Sequence, residues 1–235
     1  MATTVEHPIM FLDVLGKAIG GPAAEFVHHY PHVAYSWMIM FGLVIVARLA
    51  TAKISLVPRG LQNILEYVIE SFENFQLSIM GEKSRVLFPF LATLFLFVSC
   101  SNLQGLLPGS LAPTSNLNTT ASLAVMIVGL THLVGLKKHG FRYIKHFMGP
   151  MPILAPLMLA IETVSHFSRL ISLSLRLFGN VMGEDLVVII LFALAGAYFV
   201  PLPMMFLGLL TGFLQAFVIT LLAMIYITDA MHEAH

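Results

Sequence analysis

The stretch IETVSHFSRLISLSLRLFGNVMGED occupies residues 161–185 and places two arginines inside otherwise strongly apolar sequence. At about 100° per residue on a helical wheel, six of its polar side chains fall within roughly 80° of one another. These residues are Glu162, His166, Arg169, Arg176, Asn180 and Glu184. Leucine, isoleucine and phenylalanine occupy much of the remaining circumference. The pattern predicts a helix that buries one polar stripe against protein or water and turns its other faces to lipid or to neighbouring helices.

The charge of Arg176 makes this stripe a candidate functional site. An arginine at mid-bilayer depth costs about 2.5–3.5 kcal/mol on insertion scales, so a buried one is expected to have a function. Because a guanidinium group stays protonated, Arg176 cannot relay a proton. It can attract a carboxylate, expel a proton from it, or block a leak of cations.

Several neighbours of Arg176 can titrate and could pass protons along water-filled paths on either side of it. They are Glu162, His166, Glu184 and Asp185. One alternative is that the charges only neutralise one another, with Glu162 paired to Arg169 and Arg176 to Glu184. A second alternative is a surface helix with ordinary solvated charges.

The composition indicates a membrane protein. The chain has 235 residues, of which 58% are hydrophobic and 10% charged, compared with about 25% charged in a typical soluble domain. Residues 86–136 and 186–228 contain no Asp, Glu, Lys or Arg, and each interval is long enough for two passes of about 20 residues. The formal net charge is zero, which argues against a nucleic-acid partner.

The first half of the chain is expected to form an extracytoplasmic N-terminal arm followed by three membrane spans. The arm covers residues 1–32, and residues 33–235 form a single membrane domain. The expected spans are residues 33–52, 86–107 and 120–136. Between the first two, residues 60–80 keep apolar side chains on one side and Glu66, Glu70 and Glu73 on the other. That pattern predicts an amphipathic interfacial helix.

The second half is too long for one perpendicular span. Residues 151–200 lack a strong breaker before Gly196, and a straight helix of that length would measure about 75 Å, more than twice the hydrocarbon core. Either the segment makes two passes with a break around residues 176–185, or it is one strongly tilted helix. Residues 203–229 form a last apolar helix.

Basic residues set the expected orientation. Arg48, Lys53 and Arg59 follow the first span, and a basic loop at 137–145 lies two spans later on the same side. The loop between them, residues 105–121, contains no Lys or Arg. By the positive-inside rule, the N-terminus lies outside and the 137–145 loop and the C-terminus are cytoplasmic.

The sequence contains no nucleotide-binding loop, no zinc spacing and no nucleophile with an adjacent base. It does contain the motifs of a known family. SLSLRLFGN (172–180) resembles the arginine motif of the membrane-embedded a subunits of F-type ATP synthases, and LQAFVITLLAMIYI (214–227) resembles their terminal-helix motif. PTSNLNTT (113–120) and KKHG (137–140) also match in order.

This resemblance implies the stator part of a rotary ion motor in the bacterial plasma (inner) membrane. The subunit would not be an enzyme by itself and would need no cofactor or metal. Its partners would be a c-ring, the peripheral-stalk b subunits and the rest of the synthase. Two offset aqueous half-channels would bring protons to the ring carboxylates and carry them away. The fold would be all-α, ending in a hairpin of two long tilted helices, 151–200 and 203–229.

The resemblance also assigns roles to residues. Arg176 matches the essential arginine that faces the ring, and Asn180 and Gln215 match polar residues near it. Glu162 matches an acid of the cytoplasmic path, to which His166 would also belong. Asp185 falls on the usual acid of the outer path, whereas Glu184 shares the polar stripe, so both stay candidates for that role.

Two questions stay open at the level of sequence. One is the outer path, because Gly208 stands where some family members have a titratable His or Glu, so this chain would have one relay fewer there. Proton coupling is expected, with a sodium-translocating version of the same subunit as the alternative.

A secondary transporter would require paired broken helices in two repeated halves, and no internal repeat is visible. A purely structural membrane subunit would not need the arginine stripe.

Overall fold

A computed structural model describes residues 22–52, 60–107, 110–140, 155–195 and 202–232. Within these ranges the secondary structure is helical, with no strand. In this described part of the chain, five helical segments are long and apolar enough to cross a membrane: Pro31–Thr51, Glu82–Gly105, Leu117–Lys138, Pro156–Leu194 and Leu202–Met231. The expected all-α polytopic class is therefore confirmed. Most of the N-terminal arm, residues 1–21, lies outside the described residues.

The chain begins with a short helix and a first long helix. Helix α1 spans Pro22–His29 and α2 spans Pro31–Thr51, where Pro31 occupies the first helical turn, a position that does not need its missing N–H group. His32, at the start of α2, contacts Asn116, with His32 Nδ1 and Asn116 Nδ2 3.4 Å apart. The start of α2 therefore lies at the same end of the molecule as Asn116.

Helix α3, Leu61–Met80, is the amphipathic helix. It lies between two glycines with positive φ, Gly60 at 60° and Gly81 at 74°, where a side chain would be strained. Its second half packs through Phe72, which stacks on Phe95 at 5.2 Å, and through Phe75, whose ring lies 5.0 Å from that of Phe217. By length and composition α3 is not among the five membrane-spanning candidates.

Helices α4 and α5 are each preceded by a short 3-10 helix. A 3-10 helix, Glu82–Leu87, leads into α4, Phe88–Gly105. A second one, Pro113–Ser115, precedes α5, Leu117–His139. Helix α5 begins three residues before the expected span and ends three residues after it. The Asn116 side chain accepts a hydrogen bond from the Asn118 N–H at 2.9 Å and caps the start of α5.

Helix α6 runs without interruption over 41 residues, Ala155–Ala195, and is about 60 Å long. The expected alternative of a break around residues 176–185 is wrong, because that region lies inside α6. Helix α7 spans Leu202–His232. Three contacts join α6 to α7: Glu184 to Thr211, Asn180 to Gln215 and Arg169 to Tyr226. In these contacts the residue number on α6 falls by the same amount as the residue number on α7 rises, so the two helices are antiparallel.

The helices pack around one apolar core, and the two ends of the molecule can be distinguished. Fully buried core side chains come from α4, α5, α6 and α7 and include Leu91, Ile127, Leu177, Ile219 and Met224. Helices α2, α5 and α7 begin at what we call the Asn116 end. At the opposite Lys138 end, the Lys138 ammonium group donates a hydrogen bond to the carbonyl of Met231. Because α6 is antiparallel to α7, it starts at the Lys138 end.

Candidate functional site

The polar stripe of α6 runs beside the buried side of the same helix. That buried side consists of Leu173, Ser174, Leu177 and Val181. Ser174 contacts α5 through Thr120, with 3.3 Å between the two hydroxyl oxygens. The stripe is rotated from this buried side toward α7, which explains why Arg169, Asn180 and Glu184 contact α7. The helical period therefore places the site at the seam between α6 and α7.

Asn180 and Gln215 form the central contact of this seam. Asn180 Nδ2 donates a hydrogen bond to Gln215 Oε1 at 2.8 Å, and Gln215 is 6% exposed. Arg176 lies one helical turn before Asn180, about 6 Å along the axis. Because Asn180 contacts Gln215, Arg176 lies within two helical turns of Gln215 along the hairpin. The Gln215 Nε2 atom is buried and has no hydrogen-bond partner among the described residues.

Glu184 lies one turn further toward the Asn116 end. Its Oε2 accepts a hydrogen bond from Thr211 Oγ1 at 3.1 Å. A Cβ atom built on Gly208 would lie 1.4 Å from Glu184 Oε1 and 2.4 Å from its Cδ. The carboxylate of Glu184 thus occupies the space that a side chain at position 208 would need. A titratable group from α6 therefore lies beside position 208, where some family members have a titratable side chain of their own.

Asp185 and Glu184 point in different directions. Asp185 lies about 180° from Arg176 around the helix, whereas Glu184 lies on the Arg176 side. Asp185 is half-buried, as is Glu184. Because both acids lie at the Asn116 end, their position along α6 does not separate them. The contact with Thr211 connects Glu184 to the seam.

Arg176 is exposed on the surface of the chain. Within the described ranges, no acidic side chain lies within ion-pair distance of its guanidinium. The pairing of Arg176 with Glu184 is therefore not seen, since Glu184 faces Thr211 and Gly208. Glu162 and Arg169 are likewise not paired: the Arg169 guanidinium carbon lies 5.0 Å from the centre of the Tyr226 ring.

The Lys138 end of the stripe holds a separate titratable group of residues. His166 Nε2 lies 3.4 Å from Glu162 Oε1, one helical turn away. The ring of His132, from α5, lies 4.6 Å from that of His166. Sequence reasoning missed His132, although it is the only titratable residue between Leu117 and Leu136. That isolation within an apolar span is the signal by which it could have been found.

The polar end of α4 combines helix contacts with unpaired groups. Asn102 accepts a hydrogen bond from Thr114 Oγ1 at 2.7 Å and donates one to the Gly212 carbonyl at 2.8 Å. It therefore holds α4 against α7. By contrast, Ser99 Oγ, Ser101 Oγ and Gln104 Nε2 are buried without a hydrogen-bond partner among the described residues. Such groups are usually satisfied by ordered water. In the described part of the chain, no three His, Cys, Asp or Glu side chains are grouped to bind a metal ion.

Comparison with known proteins identifies the family. Residues 33–228 match the family described as ATP synthase A chain. The chain is 48% identical over 240 residues to ATP synthase subunit a of Syntrophobacter fumaroxidans, an alignment that covers 98% of this chain and 100% of that protein. It is 52% identical over 229 residues to ATP synthase subunit a of Geobacter sulfurreducens, with 97% and 99% covered. The resemblance drawn from the motifs is confirmed: this chain belongs to the ATP synthase A chain family, the a subunits of F-type ATP synthases.

Proposed function

We propose that this a subunit translocates protons and that Arg176 couples their movement to the rotation of a c-ring. As a family member, the chain is a multi-pass membrane protein of the ATP synthase membrane sector and serves ion transport. The proposal rests on the position and surroundings of Arg176. It is exposed, has no acidic partner among the described residues, and lies near the middle of a 41-residue apolar helix.

An arginine without an acidic partner in the middle of an apolar helix is expected to interact with a carboxylate that a partner protein supplies. A buried or lipid-facing charge is costly unless an opposite charge approaches it. A ring whose subunits each carry a mid-membrane carboxylate would bring such charges past Arg176 one at a time. The fixed guanidinium would keep the passing carboxylate ionised and would prevent protons from crossing directly between the two half-channels.

The surface beside Arg176 supports a moving partner. Gly179 and Gly183 lie on the exposed face, and a Cβ added at either would meet no atom within 4 Å. Ser168 and Ser172 are also exposed there. Nothing in the described chain requires these residues to be small. Small residues let a neighbouring helix approach closely, so we assign this face, Ser168–Ser172–Gly179–Gly183, to contact with the ring.

The polar groups form one path on each side of Arg176. Toward the Asn116 end, the seam carries the Glu184–Thr211 and Asn180–Gln215 contacts in sequence, and Asp185 faces the opposite side of α6. We propose this end as the outer half-channel. Toward the Lys138 end, Glu162 and His166 form the cytoplasmic half-channel. This assignment follows the positive-inside rule, with the N-terminus outside and the C-terminus cytoplasmic.

Protons are favoured over sodium as the coupling ion. The path at the Lys138 end contains an imidazole, which exchanges protons near neutral pH. If sodium were the coupling ion, ATP hydrolysis by the assembled complex would depend on sodium concentration. We expect hydrolysis to be independent of sodium at constant ionic strength.

The remaining parts of the proposal concern the assembly. The subunit would lie in the bacterial plasma membrane, bind no nucleotide itself, and contact the c-ring and the b subunits. Purification of the tagged chain in mild detergent would be expected to recover a ring of small hairpin proteins together with the soluble ATPase head. A secondary transporter would be recovered without them.

Replacement of Arg176 tests the central claim. In inverted membrane vesicles that contain the whole complex, Arg176→Ala should abolish ATP-driven proton pumping while the ATPase head still binds nucleotide. The matched control is Arg85→Ala, which removes an exposed arginine that pairs with Glu73 at 2.8 Å, away from the stripe. We expect the control to pump normally. Undiminished pumping by Arg176→Ala would refute the assignment.

A further inference from the structure

His132 and His166 bring two imidazole rings into direct contact between α5 and α6. Their ring centres lie 4.6 Å apart and their planes are inclined by 57°. On its other side, His166 Nε2 lies 3.4 Å from Glu162 Oε1. Three titratable side chains therefore form a continuous row, Glu162–His166–His132. The row leads from the polar stripe of α6 into the interface between α6 and α5.

The three residues lie near the Lys138 end. Glu162 is seven residues from the start of α6 and His132 is seven residues from the end of α5, each about 10 Å along its helix axis. The row therefore steps one helical turn along α6 from Glu162 to His166 and then crosses to His132 on α5. It leads away from the exposed face of α6 that carries Arg176.

Two observations favour a chemical role for His132. It is the one titratable residue of α5 between Leu117 and Leu136, in a segment apolar enough to cross a membrane, where polar ionisable groups are costly and are usually functional. It also contacts the one histidine of the stripe. An imidazole can accept a proton at one nitrogen and release another from the second nitrogen. Two touching imidazoles are therefore suited to pass protons, whereas packing alone would be served by leucine.

Charged groups from each neighbouring helix surround the row. On α6 these are Glu162 and Arg169, the latter held over the Tyr226 ring. On α7, Asp229 lies at the level of His166 by the antiparallel offset of the two helices. On α5, Lys137 and Lys138 follow His132 toward the end of the helix. Glu162 is the acidic group that contacts His166 in the row, whereas Asp229, Lys137 and Lys138 lie at the same end of the molecule without a described contact to the row.

We propose that His132 is a further proton-carrying residue of the cytoplasmic path, which would run through the α5–α6 interface. The proposal rests on the function proposed above. A proton released from a ring carboxylate protonates Glu162, which passes it to His166. His166 then passes a proton to His132, which releases one to water at the Lys138 end. Each group returns to its starting charge, so one proton enters the row and one leaves it.

The test uses inverted vesicles with the complete complex and three variants: His132→Ala, His132→Leu and His132→Gln. We expect each to lower the rate of ATP-driven pumping about tenfold, a modest loss for removal of a positioned proton-transfer group. Added imidazole should restore pumping in His132→Ala, where the ring leaves space, and should not restore it in His132→Leu, where the side chain fills that space. Immunoblotting for the subunit confirms equal assembly.

Two results would overturn the proposal. One is a wild-type rate in His132→Leu. The other is a combination of two results: the loss of pumping in His132→Ala is not restored by imidazole, and His132→Gln pumps normally. This combination would show that residue 132 only fills space, because an amide of similar size can fill the space but cannot relay a proton. His28→Ala, which removes an exposed histidine at the Asn116 end, serves as the control. Arg176→Ala separates this question from the proposed function: if it stops pumping and His132→Leu does not, only the role of His132 fails.

Discussion

At the scale of single residues, the two adjacent acids Glu184 and Asp185 are no longer equivalent. The helical wheel places Glu184 on the polar stripe, whereas the family motif places Asp185 on the usual acid of the outer path. In the structure, Glu184 accepts a hydrogen bond from Thr211 and lies over Gly208. It therefore stands on the seam that leads through Asn180 and Gln215 toward Arg176.

We expect Glu184→Gln to lower ATP-driven pumping more than Asp185→Asn does. The amide keeps the shape of each side chain but cannot hold a proton, and a positioned proton-transfer group typically contributes about 10²-fold or more. Initial pumping rates in inverted vesicles at equal subunit content provide the measurement. The opposite order of the two effects would assign the outer path to the far side of α6, where Asp185 points.

The comparison is informative because the two acids lie on different faces of α6, about 100° apart around the helix. Removal of either acid therefore tests one side of α6 and leaves the other intact.

At the scale of elements, the exposed face of α6 beside Arg176 is shaped for a partner. Gly179 and Gly183 lie there in open space, although glycine destabilises the interior of a helix by about 0.5–1 kcal/mol relative to alanine. No contact in the described structure requires glycine at either position. A close partner helix supplies a physical reason for both glycines.

We expect Gly183→Leu to lower pumping by about an order of magnitude, because displacement of the ring by about 1 Å would misplace its carboxylate relative to Arg176. Leucine favours the helix, so unfolding would not explain the loss. Met182→Leu, a change on a different exposed face of the same turn, is the matched control. Pumping rates and the amount of assembled complex are measured together. Normal pumping by Gly183→Leu would remove this face from the ring contact.

The sequence predicts the features that depend on the residue spacing within one helix. It does not predict the contacts that depend on how two helices pack together. The period of 3.6 residues places Glu162, His166 and Arg176 on one side of α6, and this follows from residue spacing alone. The contact of His132 with His166 depends on the rotation and height of α5 against α6, which no pattern within either helix records. For the same reason, the pairing of Arg169 with Tyr226 and of Glu184 with Gly208 could be learned only from the packed structure.

At the scale of the whole molecule, the two ends differ in charge and in the helices that finish there. The Lys138 end carries Lys137 and Lys138, and the Asn116 end carries uncharged polar residues such as Asn118 and Thr119. Composition and length predicted three spans in the first half and a segment too long for one perpendicular crossing, and the family resemblance predicted the hairpin of two long helices. They could not fix the helix ends, because capping residues such as Asn116 extend α5 beyond its apolar segment.

We expect the Lys138 end to face the cytoplasm. In a background with Cys100→Ser, a membrane-impermeant thiol reagent should label Lys137→Cys in inverted vesicles and not in intact spheroplasts. Asn118→Cys, at the opposite end and also exposed, should show the reverse pattern. Labelling of both positions from the same side would contradict a membrane crossing by α5, and a reversed pattern would contradict the orientation alone.

The shared space of Glu184 and Gly208 also limits how this protein can evolve. Because the Glu184 carboxylate fills the volume next to the Gly208 backbone, a mutation that enlarges residue 208 first would force two side chains into one place. A lineage that enlarges residue 208 must therefore also rotate or shorten the Glu184 side chain, whose flexible end meets the new group. The two codons are thus coupled across the hairpin by the space that their side chains share.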